Sequence, residues 1–437
     1  MKNQFYLFFV LFLFFGCSQD DKLENANTIN SDIPNFWAAY DKITSTTDST
    51  QQMEYLQTLF LDKGTPGLKA FMEIKNYTPE RYLNAINSYP KFWASIRENT
   101  YKTDQYSKEI QAEVEKLKTI YPDLKPAKIY FTIGALMSGG TTMDSLVLIG
   151  AEIAMGDSSV ITDEFPDRLQ TSLRAHFDTN PINDVVLLNT HEYVHTQQRP
   201  QMGYDLLSQC VVEGVAEFVS VTSSGMPSTT PAIAFGQKND KSVKARFEKE
   251  VGGPHWNDWL YNDFQNIFLM RDLGYYIGYA ICESYYNRAA DKKQAIKDLI
   301  ELNYSDPAAV ELLVDKSRYL GQPVAALKIA YENARPTVTR IVEFENGSQD
   351  VDPSITQITV EFSEPLSTRF RNQRLGPLGA DFVLPMRSIN FGPDAKSMVF
   401  GVELEPNKQY QLQLSDEYRN LEGRVLIPYL IDFKTGN

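Results

Sequence analysis

Apolar positions fall into three regimes along the chain. Eleven consecutive apolar residues run from Phe5 to Phe15 behind a single lysine, Lys2. A run that short does not span a bilayer as a helix, and residues 1–16 read as a secretory signal segment removed from the mature protein. Residues 17–32, ending SQDDKLENANTINSD, are almost wholly polar and predict a flexible tether. From Phe36 to Tyr121 apolar residues recur at helical spacing, as in Met53, Leu56, Leu59 and Phe60, and again from Ile110 to Ile120, which predicts a helical lobe over 33–125. Pro122 and Pro126 break that pattern. KIYFTIG (128–134) and SLVLIGAEIA (145–154) then read as strands on either side of a turn-forming SGGTT, whose glycines lack the following Lys-Ser/Thr of a phosphate loop. A helix is predicted to start near Asn183 and Asp184 and to run through VVLLNTHEYVHTQQ until Pro200. A second is predicted from Asp205 to Val221 and a third over GYYIGYAICESYYNRAA, with amphipathic turns continuing to Asn333.

After Arg335 and Pro336 the period drops to two. ITQITVEFSEPL sets Ile358, Val360 and Phe362 against Thr359 and Glu361, SMVFGVEL and YQLQL repeat the alternation, and PNKQ and NLEG read as turns. The fold class expected is therefore α+β: a mainly helical domain with a small sheet over 33–334, followed by an all-β sandwich over 335–437. A length of 437 residues and a hydrophobic fraction of 43% suit more than one core.

Without Lys2 the chain holds 41 basic against 56 acidic residues, a net charge of −15. That balance excludes nucleic acid as a partner on long-range electrostatics. Beyond Cys17 only Cys210 and Cys282 remain, too few for a disulfide framework, and their spacing does not say whether they pair.

Gly16-Cys17 at the end of the apolar run resembles the lipobox of bacterial lipoproteins, with Phe14 where leucine is usual. The resemblance implies cleavage before Cys17 and lipidation of its sulfur. Asp20 and Asp21 are similar to the surface-export signal of some Gram-negative lipoproteins, so an outer-membrane lipoprotein, periplasmic or surface-facing, is expected.

HEYVHTQQ (191–198) carries the candidate chemistry. His191 and His195 are one helical turn apart and can aim both imidazoles at one ion, with Glu192 alongside. A catalytic zinc takes three protein ligands and keeps one position for water. The chain has four histidines; His255 is the only later one, too distant for a metzincin, and His176 has no assigned role. The remaining solution is a carboxylate on the next helix, where CVVEGVAEF places Glu213 and Glu217 four apart on one face, either of which can complete the set.

Together HEYVH, EGVAEF and GYYIGY (274–279) resemble the gluzincin zinc peptidases, most closely the predicted zinc-dependent protease lipoproteins of HExxH…EGxAE type. The resemblance implies a zincin-like peptidase domain with its catalytic part over 126–334. It implies Zn2+ on His191, His195 and Glu213, with Glu217 hydrogen-bonding a ligand histidine. Glu192 becomes the general base and Tyr275 the oxyanion donor, with Tyr276 and Tyr279 as close rivals and His255 another candidate, though an exposed loop histidine suits it better. It also implies that SLVLIGAEIA lies where an edge strand pairs with extended peptide. The C-terminal segment, from RPTVTRIVEFENGSQDVDPSITQITVEFSEPLS to IDFKTG, resembles an SbsA-type bacterial Ig-like domain. That resemblance implies a spacer or interaction module whose expected partner is a protein or glycan. The expected function is a lipid-anchored zinc metallopeptidase acting on peptide or protein. The competing expectation, motivated by the tether and the Ig-like module, is a non-catalytic envelope-assembly or binding lipoprotein on a peptidase scaffold; a closed structural zinc centre suits the ligand set less well.

Overall fold

The structure, a computed structural model, describes residues 28–198, 205–262 and 267–437. The signal segment, Cys17 and most of the tether lie outside the described residues. The fold is mixed α+β, as expected. Among the described residues, contacts define two units, one of residues 28–198, 216–229 and 293–301, the other of residues 205–215, 230–262, 267–292 and 302–437.

The first unit opens on β1 (Thr28–Ile29), so the chain has entered a sheet within the segment read as tether. Three of the helices that follow start where the sequence supplies side-chain caps. Asp48 accepts from the N–H groups of Thr50 and Gln51 at the head of α2 (Ser49–Leu56). Thr65 and Thr78, each followed by proline, cap α3 (Pro66–Lys75) and α4 (Pro79–Ser88). At the two threonine caps a hydroxyl satisfies an N–H that the helix leaves over, and proline occupies a position that needs no donor. α1 (Asp32–Ile43) buries Ile33, Phe36, Trp37, Tyr40 and Ile43, a stripe at helical period. Phe36 meets Trp93 of α5 (Pro90–Thr100) at 5.0 Å between centroids. The indole N–H groups of Trp37 and Trp93 donate to Thr100 Oγ1 at 2.8 Å and to the Ala85 carbonyl at 2.9 Å, so both large rings are buried without stranded donors.

α6 (Thr103–Ile120) ends before Pro122, and the sheet then runs β1–β2–β4–β3, with β2 (Lys128–Thr132) parallel to β1 and β4 (Leu146–Gly150). β3 (Gly140–Met143) is an antiparallel edge strand. Directly after β4, α7 (Ala151–Ala154) places Glu152 in the core with no exposure. Its carboxylate accepts the N–H of Gly134 at 2.9 Å and of Leu136 at 3.3 Å, holding the loop that leads to β3.

Burial pushes the Glu152 pKa up to about 7, against the two backbone N–H groups that favour the anion. A carboxyl whose folded pKa is raised contributes stability that is complete below its ordinary value of 4.5 and is lost as pH rises through about 7. The loss amounts to roughly 3 kcal/mol at most. Thermal unfolding from pH 5 to 8 is therefore expected to show the native protein losing stability relative to Glu152→Gln, which has no such proton to release. Parallel pH curves for the two proteins would contradict this.

The second unit combines helices with two antiparallel sheets. α11 (Pro231–Glu250), α12 (Leu273–Arg288), α14 (Pro307–Ser317) and α15 (Val324–Asn333) precede them; α13 (Lys292–Ile300) falls almost wholly in the first unit. α10 (Leu206–Ser224) is the one described helix long and apolar enough to cross a membrane, but 83% of its apolar window is buried, as in a core helix. Gly214 of α10 and Gly278 of α12 mark a backbone-to-backbone crossing. A Cβ on Gly278 would fall 1.7 Å from the Cys210 carbonyl oxygen, and one on Gly214 would fall 2.0 Å from the Gly278 carbonyl carbon.

One sheet runs β5 (Val338–Ile341), β6 (Gln357–Phe362), β9 (Ser397–Val402), β8 (Met386–Phe391). The other runs β11 (Tyr429–Lys434), β10 (Gln409–Leu414), β7 (Gln373–Arg374). Ile358, Val360 and Phe362 from the first share a core with Tyr410, Leu412 and Phe433 from the second, as the alternation predicts.

Candidate metal centre

α8 (Asp167–Phe177) and the 3-10 turn Pro181–Asp184 lead into α9 (Val185–His195), which starts directly after Asp184, although the Asp184 side chain makes no capping hydrogen bond. Its buried polar residues satisfy themselves locally: Asn189 Nδ2 donates to the Val185 carbonyl and Thr190 Oγ1 to that of Val186. His191 and His195 project from one face, their Nε2 atoms 3.1 Å apart. His191, Glu213 and Glu217 are each buried, at 6%, 6% and 4% exposure. His191, His195 and Glu213 each offer one ligand atom, and these atoms lie within 4.8 Å of one another.

Their neighbours orient the rings. His191 Nδ1 lies 3.0 Å from Glu217 Oε2, and Ser228 Oγ donates to the other oxygen of that carboxylate. His195 Nδ1 lies 2.6 Å from Gln198 Oε1. An acceptor at each Nδ1 puts the proton there and leaves the lone pair on Nε2. Two Nε2 lone pairs then face each other across 3.1 Å beside a carboxylate, an arrangement that a shared cation relieves. The donor set of two imidazoles and one carboxylate suits a divalent ion of zinc type.

Glu213 itself is held by tyrosines. Tyr261 Oη donates to Glu213 Oε1 at 2.5 Å, and Tyr275 hydrogen-bonds the same carboxylate. Removal from water and the adjacent anion raise both phenol pKa values, so both remain donors. Tyr275 thus has Glu213 as its partner. Tyr276 donates to Asp240 at 2.8 Å, in company with Tyr319, and Tyr279 is buried in α12. The Glu192 carboxylate lies beside β3, 3.8 Å from the position a Cβ would take at Gly140. His176 Nε2 pairs with the Ile153 carbonyl at 3.3 Å. His255 is half-buried among Arg419, Asp258, Asp416 and Glu417, where burial and Arg419 lower its pKa. Cys210 and Cys282 are both free and buried, and burial raises both thiol pKa values.

Tyr261 and Ser228 carry no sign of a site role in the sequence. Tyr261 stands 48 residues from Glu213 in a loop with no period. Gln198 had a signal, since three residues after His195 is still within reach of its ring.

No curated protein matches the chain. Among solved structures it is similar to the S-layer protein rSbsC(31-844), with 12% identity, 93% of this chain and 45% of that chain covered, and a TM-score of 0.19. It is similar also to the N-terminal part of the bacterial S-layer protein SbsC, with 12% identity, 76% and 79% covered, and a TM-score of 0.18. The chain spans less than half the length of the first.

A family described as gliding motility protein GldB matches residues 17–250. That match overturns the gluzincin resemblance drawn from HEYVH, EGVAEF and GYYIGY, and with it the expected zinc metallopeptidase and its hydrolase, gluzincin and zinc-protease labels. The physical reason is that a ligand set specifies an ion it can hold and not a reaction, so the same histidine spacing serves unrelated functions. The segment likened to an SbsA-type Ig-like domain lies beyond the matched residues. Membership of a lipoprotein family agrees with a membrane-associated protein of the cell envelope. Because the match covers more than half of the 437 residues, the chain belongs to the GldB lipoprotein family.

Proposed function

We propose that this chain is a non-catalytic lipoprotein of the cell envelope that serves gliding motility. The observation that carries this is the family match, which begins at Cys17, the residue read as the lipidated first residue of the mature protein. The lipid holds the protein at the outer membrane, and the β-rich segment 335–437 acts as an Ig-like spacer or interaction module toward a protein or glycan. His191, His195 and Glu213 hold a zinc ion, with Glu217 orienting His191; the converging lone pairs support this assignment. The ion's part is to tie these three side chains together and stabilise the fold around them.

The test is deletion of the gene followed by complementation, scored by colony spreading and single-cell gliding. Deletion is expected to abolish gliding, and Cys17→Ala to leave the protein out of the membrane fraction and fail to restore movement. Glu192→Gln is expected to restore gliding fully, since no proton transfer is asked of that carboxylate. Normal gliding in the deletion strain, or failure of Glu192→Gln at normal protein level, would sink the proposal.

A further inference from the structure

Residues 259–262 and 267–272, which precede α12, bear a feature that the metal ligands alone do not account for. Tyr261 has φ of 56°, in the left-handed region that bulky side chains disfavour, as do Leu269 and Asp272 of the same loop at 50° and 60°. Two hydrogen bonds hold Tyr261 there: its backbone N–H donates to Asp272 Oδ1 at 2.6 Å, and its hydroxyl donates to Glu213 Oε1. Tyr261 is 52% exposed and forms part of the wall of a cavity of about 480 Å³, together with Trp259, Phe268, Arg369, Phe370 and Arg419. An exposed side chain in an unfavoured backbone conformation, fastened at both ends, is an arrangement retained for what the far end does.

Resting on the zinc assignment above, we infer that Tyr261 is a positioning residue for Glu213. Its hydroxyl engages Oε1 and so fixes the orientation in which the carboxylate would meet an ion. Tyr275 shares the carboxylate from α12 and bonds the Tyr261 hydroxyl, so the three groups form one closed network. A flexible carboxylate would have to be ordered when the ion binds; one already held is preorganised. Because the ring also faces the cavity, whatever enters there meets the group that orients the ligand.

The test compares zinc affinity of the full-length mature protein and of Tyr261→Phe, by competition with a chromogenic chelator, alongside thermal unfolding of the metal-free forms. Tyr261→Phe keeps the ring and removes only the hydroxyl. It is expected to weaken zinc binding 10- to 100-fold while metal-free unfolding stays within a few degrees of native. Asp272→Asn keeps an acceptor for the Tyr261 N–H and is expected to bind zinc nearly as the native protein does. Equal affinity of Tyr261→Phe and native protein overturns the inference while leaving the zinc assignment intact. If the native protein itself binds no zinc, the assignment falls first. A matching fall in affinity and in metal-free stability would assign Tyr261 to the fold and likewise overturn the inference.

Discussion

Gly278→Ala is expected to abolish folding, or to lower stability by at least about 3 kcal/mol, and Gly214→Ala to do the same. Replacing glycine by alanine inside a helix ordinarily stabilises it by about 1 kcal/mol, because the backbone loses less freedom on folding. Here the added methyl would stand 1.7 Å from the Cys210 carbonyl oxygen at position 278, and 2.0 Å from the Gly278 carbonyl carbon at position 214. Backbone atoms cannot rotate aside as a side chain can. α10 and α12 would have to separate, and the buried side chains around their crossing would lose contact. A change of this size is a large share of the 5–15 kcal/mol that holds a typical protein folded. Urea unfolding of both variants gives the result, and either one unfolding at or above the native midpoint would refute the crossing. Glu213 adjoins Gly214, so the same variants, where they fold at all, are expected to lose zinc.

Removing zinc is expected to produce the next largest effect. An ion that binds only the folded protein stabilises it by about 2.7 kcal/mol at a free concentration a hundredfold above its Kd. For a chain of this size that corresponds to a fall in Tm of roughly 3 °C on chelation. His191→Ala is expected to abolish zinc retention. It also lowers stability without metal, because Glu217 is buried at 4% exposure and loses the imidazole at its Oε2. Metal analysis by mass spectrometry, and unfolding with and without zinc, separate the two contributions. A native protein that retains no zinc and shows no Tm shift on its addition would refute the site.

His191 and His195 four apart, with carboxylates at 213 and 217, describe a candidate ligand set, and the structure brings His191, His195 and Glu213 within reach of one ion. The step from ligand set to peptide hydrolysis was the resemblance's, and belonging to a gliding-motility family removes it. Whether an ion-binding helix pair does chemistry depends on what can approach it and be turned over there, which histidine spacing does not encode.

What the sequence determined by itself was local. Helical period placed the buried stripe of α1, Thr-Pro pairs placed the starts of α3 and α4, and alternation placed β6, β9 and β10. Each of these depends on residues a few positions apart, whose geometry the backbone sets directly. Tertiary structure alone decided that Tyr261 and Tyr275 hold Glu213, that Gly214 meets Gly278, that Glu152 is sealed from water, and that Tyr276 serves Asp240. These partners stand from 16 to 64 residues apart, as the Leu136–Glu152 and Gly214–Gly278 pairs show. No periodicity reaches across such separations, because which faces meet is settled by the packing of whole elements against one another.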